Sequence, residues 1–393
     1  MTRIDDARML DHVLGKAVAS GVLPGVVALV ATAEGMLYEA CLGVRDVVSG
    51  APMTADTVFG IASMTKSVTA VAVLQLAERG LVTLSQPVGE ILPAFDALPV
   101  LTGFDGDAPV LREQITRATV RDLLANTSGL GYDTWNEDLW RYHALTGIPN
   151  ISGGSRETFR IPLIAQPGER FSYGTGSDWA GLIIEQVTGQ PLDLFFREHI
   201  TGPLGMLDTD VELTAGQRSR SAAIHVRAAA GDWTIQPASP DMAAPEFYAG
   251  GHCLYSTPAD YLLFQRALLA RGALGGARVL SAESAGSMFT DQTGGLALQA
   301  AATRNPALCL DLRFPPGARW GLGFMLTGLR DGGTRPAGSA GWAGVFNTLY
   351  WIDPVNGITA AVYTQTLPFR DPAILRVYAD FEQCLYQQLS HAA

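Results

Sequence analysis

The sequence predicts an α/β protein of the α+β kind: an antiparallel sheet flanked by helices, with an all-α domain inserted between the two halves of the sheet. Three observations lead there. Strand-like segments gather at the two ends of the chain, at residues 25–32 and 36–44 early and at 320–326, 345–352 and 357–363 late. Between about residues 81 and 244 strand signals are sparse and helical spacing takes over. Helical patterns also stand before and after the strands, which is how a sheet covers an apolar face. At 393 residues the chain is long enough for two packed units. We expect residues 1–80 with 245–393 to form the sheet domain and 81–244 a mainly helical domain.

Each element has its own signal. Ala7, Leu10, Val13, Leu14 and Val18 recur at helical spacing over residues 5–20. Residues 25–32 form an unbroken apolar run, Glu34-Gly35 a turn, and 36–44 the antiparallel partner. Residues 63–79 are apolar nearly all round after their first turn and stop at Gly80, which predicts a buried central helix. Residues 120–125, 177–188 and 191–200 are the clearest helical pieces of the inserted stretch, and 257–271 and 281–288 follow it. Asp353-Pro-Val-Asn-Gly357 is a hairpin turn between the last two strands, and 371–390 is an amphipathic helix.

Composition removes several function classes. Hydrophobic residues make up 48% of the chain and charged residues 17%, with no low-complexity tract, so the chain folds rather than staying disordered. A net charge of -11 without any Lys/Arg cluster argues against nucleic acid as a partner. No stretch reaches the roughly 18 apolar residues a bilayer span needs, and the polar start is unlike a secretory signal, so no membrane partner and a cytoplasmic location are expected. Cys41, Cys253, Cys309 and Cys384 are far apart and form no CxxC pair, and the six histidines lack metal-site spacing. Neither a metal nor a cofactor is implied.

Lysine usage is more telling. Only Lys16 and Lys66 are lysine, against 25 arginines. A lysine kept in such a background has a chemical use open to it, since burial can make an amine give up its proton while guanidinium stays charged. Lys66 follows Ser63 by three positions at the head of the apolar helix, which puts both side chains on one face. The free N–H groups of a helix start favour a developing oxyanion, and the same field with burial disfavours an ammonium. A neutral amine beside a hydroxyl is a usable base. A second element, Gln166-Pro-Gly-Glu-Arg-Phe-Ser-Tyr173-Gly-Thr175, presents a tyrosine just ahead of a helix. A third, Ser339-Ala-Gly-Trp342-Ala343-Gly344-Val345-Phe346, puts small residues at the start of a late strand, where an N–H can serve as an oxyanion donor.

These three elements, in this order, resemble the serine β-lactamase and penicillin-recognising superfamily, in particular its class C branch and the related family VIII carboxylesterases. The resemblance spans nearly the whole chain, with support from Asp122-Leu-Leu-Ala-Asn-Thr-Ser-Gly-Leu130 and from the segment running Gly250-Gly-His-Cys-Leu-Tyr-Ser-Thr-Pro-Ala-Asp260. It implies an active site between the sheet domain and the helical domain, with Ser63 as nucleophile, Lys66 as its activating partner and Tyr173 as general base. It further implies an oxyanion hole from the N–H groups of Ser63 and Val345, with Tyr132, Trp342, Ala343 and Gly344 at the substrate. Three departures bear on substrate. Trp342-Ala343-Gly344 stands where class C enzymes have Lys-Thr-Gly, which removes the cation that holds a β-lactam carboxylate and favours neutral esters. Tyr173-Gly-Thr175 stands where Tyr-Ser-Asn or Tyr-Ala-Asn is usual, and Asn126 takes a place that often holds histidine. Ser177-Asp178-Trp179 begins like the class A Ser-Asp-Asn motif but lacks the asparagine, and no Gly-x-Ser-x-Gly elbow occurs.

The expected activity is hydrolysis of small to medium carboxylic esters through an acyl-enzyme, on a small-molecule ester substrate. Acyl transfer to an alcohol, or hydrolysis of β-lactams or amides, by the same machinery is the alternative. A catalytically silent binding protein on this fold is the alternative of another class. Turnover of p-nitrophenyl esters against nitrocefin separates the first two, and a stoichiometric adduct without turnover marks the third. Whether Lys66 or Tyr173 is the resting base stays open in the sequence, because two such groups titrate as a coupled pair.

Overall fold

The computed structural model describes residues 2–228, 231–237, 244–328 and 334–391. Helix α1 (Ala7–Ala19) leads into strands β1 (Gly25–Ala31), β2 (Met36–Asp46) and β3 (Ala51–Pro52), then into α2 (Thr65–Glu78). Helices α3 (Val120–Ala125), α4 (Gly176–Thr188) and α5 (Pro258–Leu269) follow. The C-terminal part supplies β4 (Arg319–Trp320), β5 (Met325–Leu326), β6 (Ala340–Gly344), β7 (Thr348–Asp353), β8 (Ile358–Tyr363) and α6 (Pro372–Gln388).

One eight-stranded sheet, ordered β4-β5-β6-β7-β8-β1-β2-β3, takes strands from both ends of the chain, and every neighbouring pair in it is antiparallel. The seam is β8 on β1, with Ala361 opposite Leu29 and Val362 opposite Ala28. Alternation along β1 sends Val27, Leu29 and Ala31 to the core around α2, and Val26, Ala28 and Val30 to the core under α1 and α6. Both faces are covered, which is why this strand reads as an unbroken apolar run. The stretch 81–244 contains α3, α4 and several short helical turns, together with a hairpin of Val100–Asp105 and Ala108–Arg112. Its Phe95, Leu123, Phe171, Trp179 and Phe195 belong to the same apolar core as Val27, Leu29 and Tyr350 of the sheet.

Helix α2 crosses the middle of that core, with every residue from Thr65 to Leu76 buried. Its polar side chains are tied into the surrounding core. Ser67 Oγ meets Gly323 O at 3.0 Å and Tyr350 OH at 2.5 Å, Thr69 Oγ1 donates to Gly250 O at 2.6 Å, and Gln75 Nε2 donates to His199 O and Val279 O. Thr65 Oγ1 accepts from Leu254 N–H. These bonds fix the rotation and the axial position of the helix that carries Lys66.

The late strands differ from the expected ones. Residues 345–352 do not form one strand. Val345 to Asn347 are a tight turn, in which Asn347 sits at φ +59° and its N–H bonds Gly344 O at 3.0 Å, and the strand resumes at Thr348. The segment 340–344 ahead of it is itself a strand, which its Gly/Ala content hid. Residues 320–326 divide into β4 and β5 around Gly323 at φ +87°, where an added Cβ would lie 2.9 Å from Lys66 O. All four cysteines are free, Cys309 and Cys384 buried and Cys41 and Cys253 half-buried.

Candidate active site

Ser63 stands in a 3-10 turn, Ala62–Met64, just ahead of α2, rather than in the α-helix itself. It caps nothing: the turn and the helix both begin without a side-chain cap bond. Ala62 is held at φ +43°, a conformation that costs a non-glycine residue about 1–3 kcal/mol and tends to be kept where a neighbouring group must be aimed. Ser63 remains half-buried while Ala62, Met64 and Thr65 are buried, so its hydroxyl is the accessible point of the turn.

Lys66 is 1% exposed, and its amine makes three hydrogen bonds. Nζ donates to Ser63 Oγ at 3.2 Å, to Tyr132 OH at 2.9 Å and to Gly251 O at 2.9 Å. Three partners surround the head group, so it has one defined orientation. Its Nζ also lies 5.2 Å from the ring centroid of Tyr132 and 5.0 Å from that of Tyr173. The Tyr173 hydroxyl is bonded elsewhere: Trp342 Nε1–H donates to it at 2.9 Å in a buried contact. Burial pushes the Tyr132 phenol well above its ordinary value, so it is a neutral phenol at neutral pH.

Strand β6 closes the other side. An added Cβ at Gly344 would lie 2.4 Å from Ile61 O, so glycine there lets the strand end press backbone to backbone on the residue two before Ser63. Val345 follows directly and is half-buried, and its N–H takes no hydrogen-bond partner among the described residues. Ser63 and Val345 thus meet at a half-open spot in an otherwise buried surround.

A family model described as "Beta-lactamase" matches residues 10–384. The chain belongs to the beta-lactamase family. Relatives agree over full length: monacolin J acid methylbutanoyltransferase of Aspergillus terreus is 31% identical over 98% of this chain and 96% of its own. Lovastatin esterase of Penicillium rubens is 29% identical over 97% of each chain. Among solved structures, a mutant of simvastatin synthase from Aspergillus terreus superposes with a TM-score of 0.84 at 31% identity, covering 98% of this chain and 97% of the other. The protein is therefore a serine-hydrolase-type enzyme of this family, with an α+β fold built on antiparallel strands.

Within that family fold the substrate side of the site is aromatic. Trp342 packs at 5.0 Å on Tyr173 and 4.6 Å on Trp320, and stacks on Phe314 at 6.2 Å. Tyr132 and Trp135 continue the wall, at 5.3 and 5.8 Å from Tyr173. A cavity of about 220 Å³ opens against Tyr132, Trp135, Arg170, Tyr173 and Leu312. Ala343 does not join this wall. It projects to the opposite face of β6, where it packs with Cys309, Leu349 and Phe369. Of the residues expected at the site, Ser63, Lys66, Tyr132, Tyr173, Trp342, Gly344 and Val345 gather in one place, and the Ala343 side chain alone turns away. Tyr132, expected on the pocket wall, is also the phenol bonded to the amine.

Sequence reasoning missed Gly251, Asp178, Trp135, Trp320 and Phe314. The Gly251 carbonyl lies 185 residues from Lys66, and a main-chain acceptor leaves no residue-type signal. Asn126, in its unusual place, is a left-handed C-cap of α3 whose Oδ1 accepts from Gly174 N–H at 3.3 Å, which ties the Tyr173 loop to that helix. Among the described residues no helix is long and apolar enough to cross a membrane, and no group of three or more His, Cys, Asp or Glu could hold a metal.

Proposed function

We propose that this enzyme cleaves small to medium carboxylic esters through an acyl-enzyme on Ser63. The observation that carries the reading is the hydrogen bond from the fully buried Lys66 amine to the half-exposed Ser63 hydroxyl. In the first step the Ser63 oxygen attacks the ester carbonyl carbon as its proton passes to the Lys66–tyrosine pair. The N–H groups of Ser63 and Val345 receive the developing oxyanion, a donor pair of which each member is worth about 3 kcal/mol. The ester C–O bond then breaks, the alcohol leaves with the proton, and the acyl group stays on Ser63. Water, deprotonated by the same pair with Tyr173 as general base, attacks that acyl group and returns the serine. Trp342 in place of a cation supports neutral esters over carboxylate-bearing β-lactams.

A second reading is acyl transfer, in which an alcohol takes the place of water. One observation favours it: the full-length relative named as a methylbutanoyltransferase. Intact-mass analysis after a p-nitrophenyl phosphonate, with the adduct mapped by peptide sequencing, tests the shared step. An adduct on Ser63 is expected; labelling elsewhere, or unchanged ester turnover in Ser63→Ala, defeats the proposal. Product analysis of p-nitrophenyl butyrate turnover with and without an added alcohol divides hydrolysis from transfer.

A further inference from the structure

Asp178 is a buried acid that the scheme above does not use. It sits in the first turn of α4 and is 0% exposed. Its Oδ1 accepts from Gly251 N–H at 2.8 Å, and its Oδ2 has no hydrogen-bond partner among the described residues. Gly251 is the residue whose carbonyl accepts from Lys66. One residue, Gly251, therefore links the carboxylate to the amine. An added Cβ at Gly251 would lie 2.8 Å from both carboxylate oxygens, so the glycine lets the turn close over the acid. The neighbouring glycine is held from both sides too, since its O accepts from Thr69 of α2 and its missing Cβ faces Ser177 O at 2.3 Å. A carboxylate with a free oxygen in a dry interior costs several kcal/mol unless a positive charge stands near. Lys66 is the basic group nearest along this chain of bonds, and among the described residues no carboxylate stands within ion-pair distance of it.

We propose that Asp178 is a positioning residue for the nucleophile site: its carboxylate fixes the Gly250-Gly251 turn so that the Gly251 carbonyl orients the Lys66 amine, and its negative charge acts on that amine across one residue. The inference rests on the reading of Ser63 and Lys66 as the reacting pair. The groups that face Asp178 are few. His252 Nδ1 stands 3.7 Å from Oδ1, and burial lowers the pKa of that imidazole, which keeps it neutral. Cys253 is pushed up by burial and is a neutral thiol. Tyr132 is raised first by burial and then by the Asp178 charge, with smaller contributions from Tyr173 and Asp133. Lys66 reaches the Asp178 turn through the Gly251 carbonyl and bonds Tyr132 directly.

Asp178→Asn is the informative variant, because an amide oxygen can still accept from Gly251 N–H while the charge is gone. The experiment follows the rate of Ser63 phosphonylation and of p-nitrophenyl butyrate turnover against pH for the wild type and this variant, with melting temperature alongside. With the negative charge removed, the amine–phenol pair gives up its proton more readily. The acid limb of the kcat/KM profile is expected to move to lower pH by about one unit, the lower end of what a nearby opposite charge produces. The melting temperature should stay within a few degrees. An acid limb that stays where it is, whatever the plateau rate, overturns the proposal, as does full recovery of the wild-type profile in Asp178→Ala. A wild type that takes no label on Ser63 at any pH would defeat the underlying reading instead.

Discussion

The two walls of the site are built on opposite principles. Around Lys66, each donor has a named acceptor at 2.9 to 3.2 Å, and those acceptors are anchored in turn by α2, α4 and the Gly250-Gly251 turn. Facing it, Trp135, Phe314, Trp320 and Trp342 meet at ring distances of 4.6 to 6.2 Å, and the Trp342–Tyr173 bond is the polar link into that surface. On the proposed mechanism the first wall handles protons and the second selects the shape that fits. Damage to the polar wall should therefore appear as lost rate, and damage to the aromatic wall as changed substrate preference.

The largest effect should come from Lys66→Met. It removes the amine and leaves the Gly251 carbonyl unpaired, so kcat for p-nitrophenyl butyrate is expected to fall by about 10³-fold. A loss under tenfold would break the division between the walls. The two tyrosines sharpen it. Tyr173→Phe should cost about 10²-fold or more in kcat, the range of a lost general base. Tyr132→Phe, which deletes an acceptor of Lys66, should cost less, roughly tenfold, with a shifted pH profile, as for a hydrogen bond to a charged group. The reverse order in steady-state kinetics would make Tyr132 the main proton carrier. Smallest is Trp342→Phe. It keeps the ring packing and loses the bond to Tyr173, about 1 kcal/mol or some fivefold in kcat/KM, with a changed preference across ester chain lengths. An unchanged chain-length profile would show that the aromatic wall does not select substrate.

The sequence made the polar wall half legible. Ser63 and Lys66 are three residues apart, so helical spacing alone brings them together, and the apolar α2 announces its own burial. Helices α1, α3 and α6 and strands β1 and β2 also follow from periodicity, to within two residues at most boundaries. What spacing could not supply is the set of partners brought in by tertiary contact: Tyr132 at 66 residues from Lys66, Gly251 at 185, and Asp178 behind it. Strand β6 was obscured for a different reason. Its Ala-Gly-Trp-Ala-Gly sequence lacks the β-branched residues that mark strands, because close backbone approach to Ile61 and Tyr350 requires small residues there. The apolar Val345-Phe346 pair then drew the expected strand into what is a turn, while the isolated Gly323 broke a run that otherwise reads as one strand.

The contact of Gly344 with the Ile61 carbonyl sets how closely the strand end before Val345 approaches the turn that carries Ser63, with Thr348 Oγ1 packed beside the same glycine. Residues lining the cavity, such as Trp135 or Leu312, take no part in that contact and are free to vary in size without moving the Ser63 turn. A scaffold of this kind can trade one acyl or alcohol group for another over evolutionary time while its chemistry stays in place.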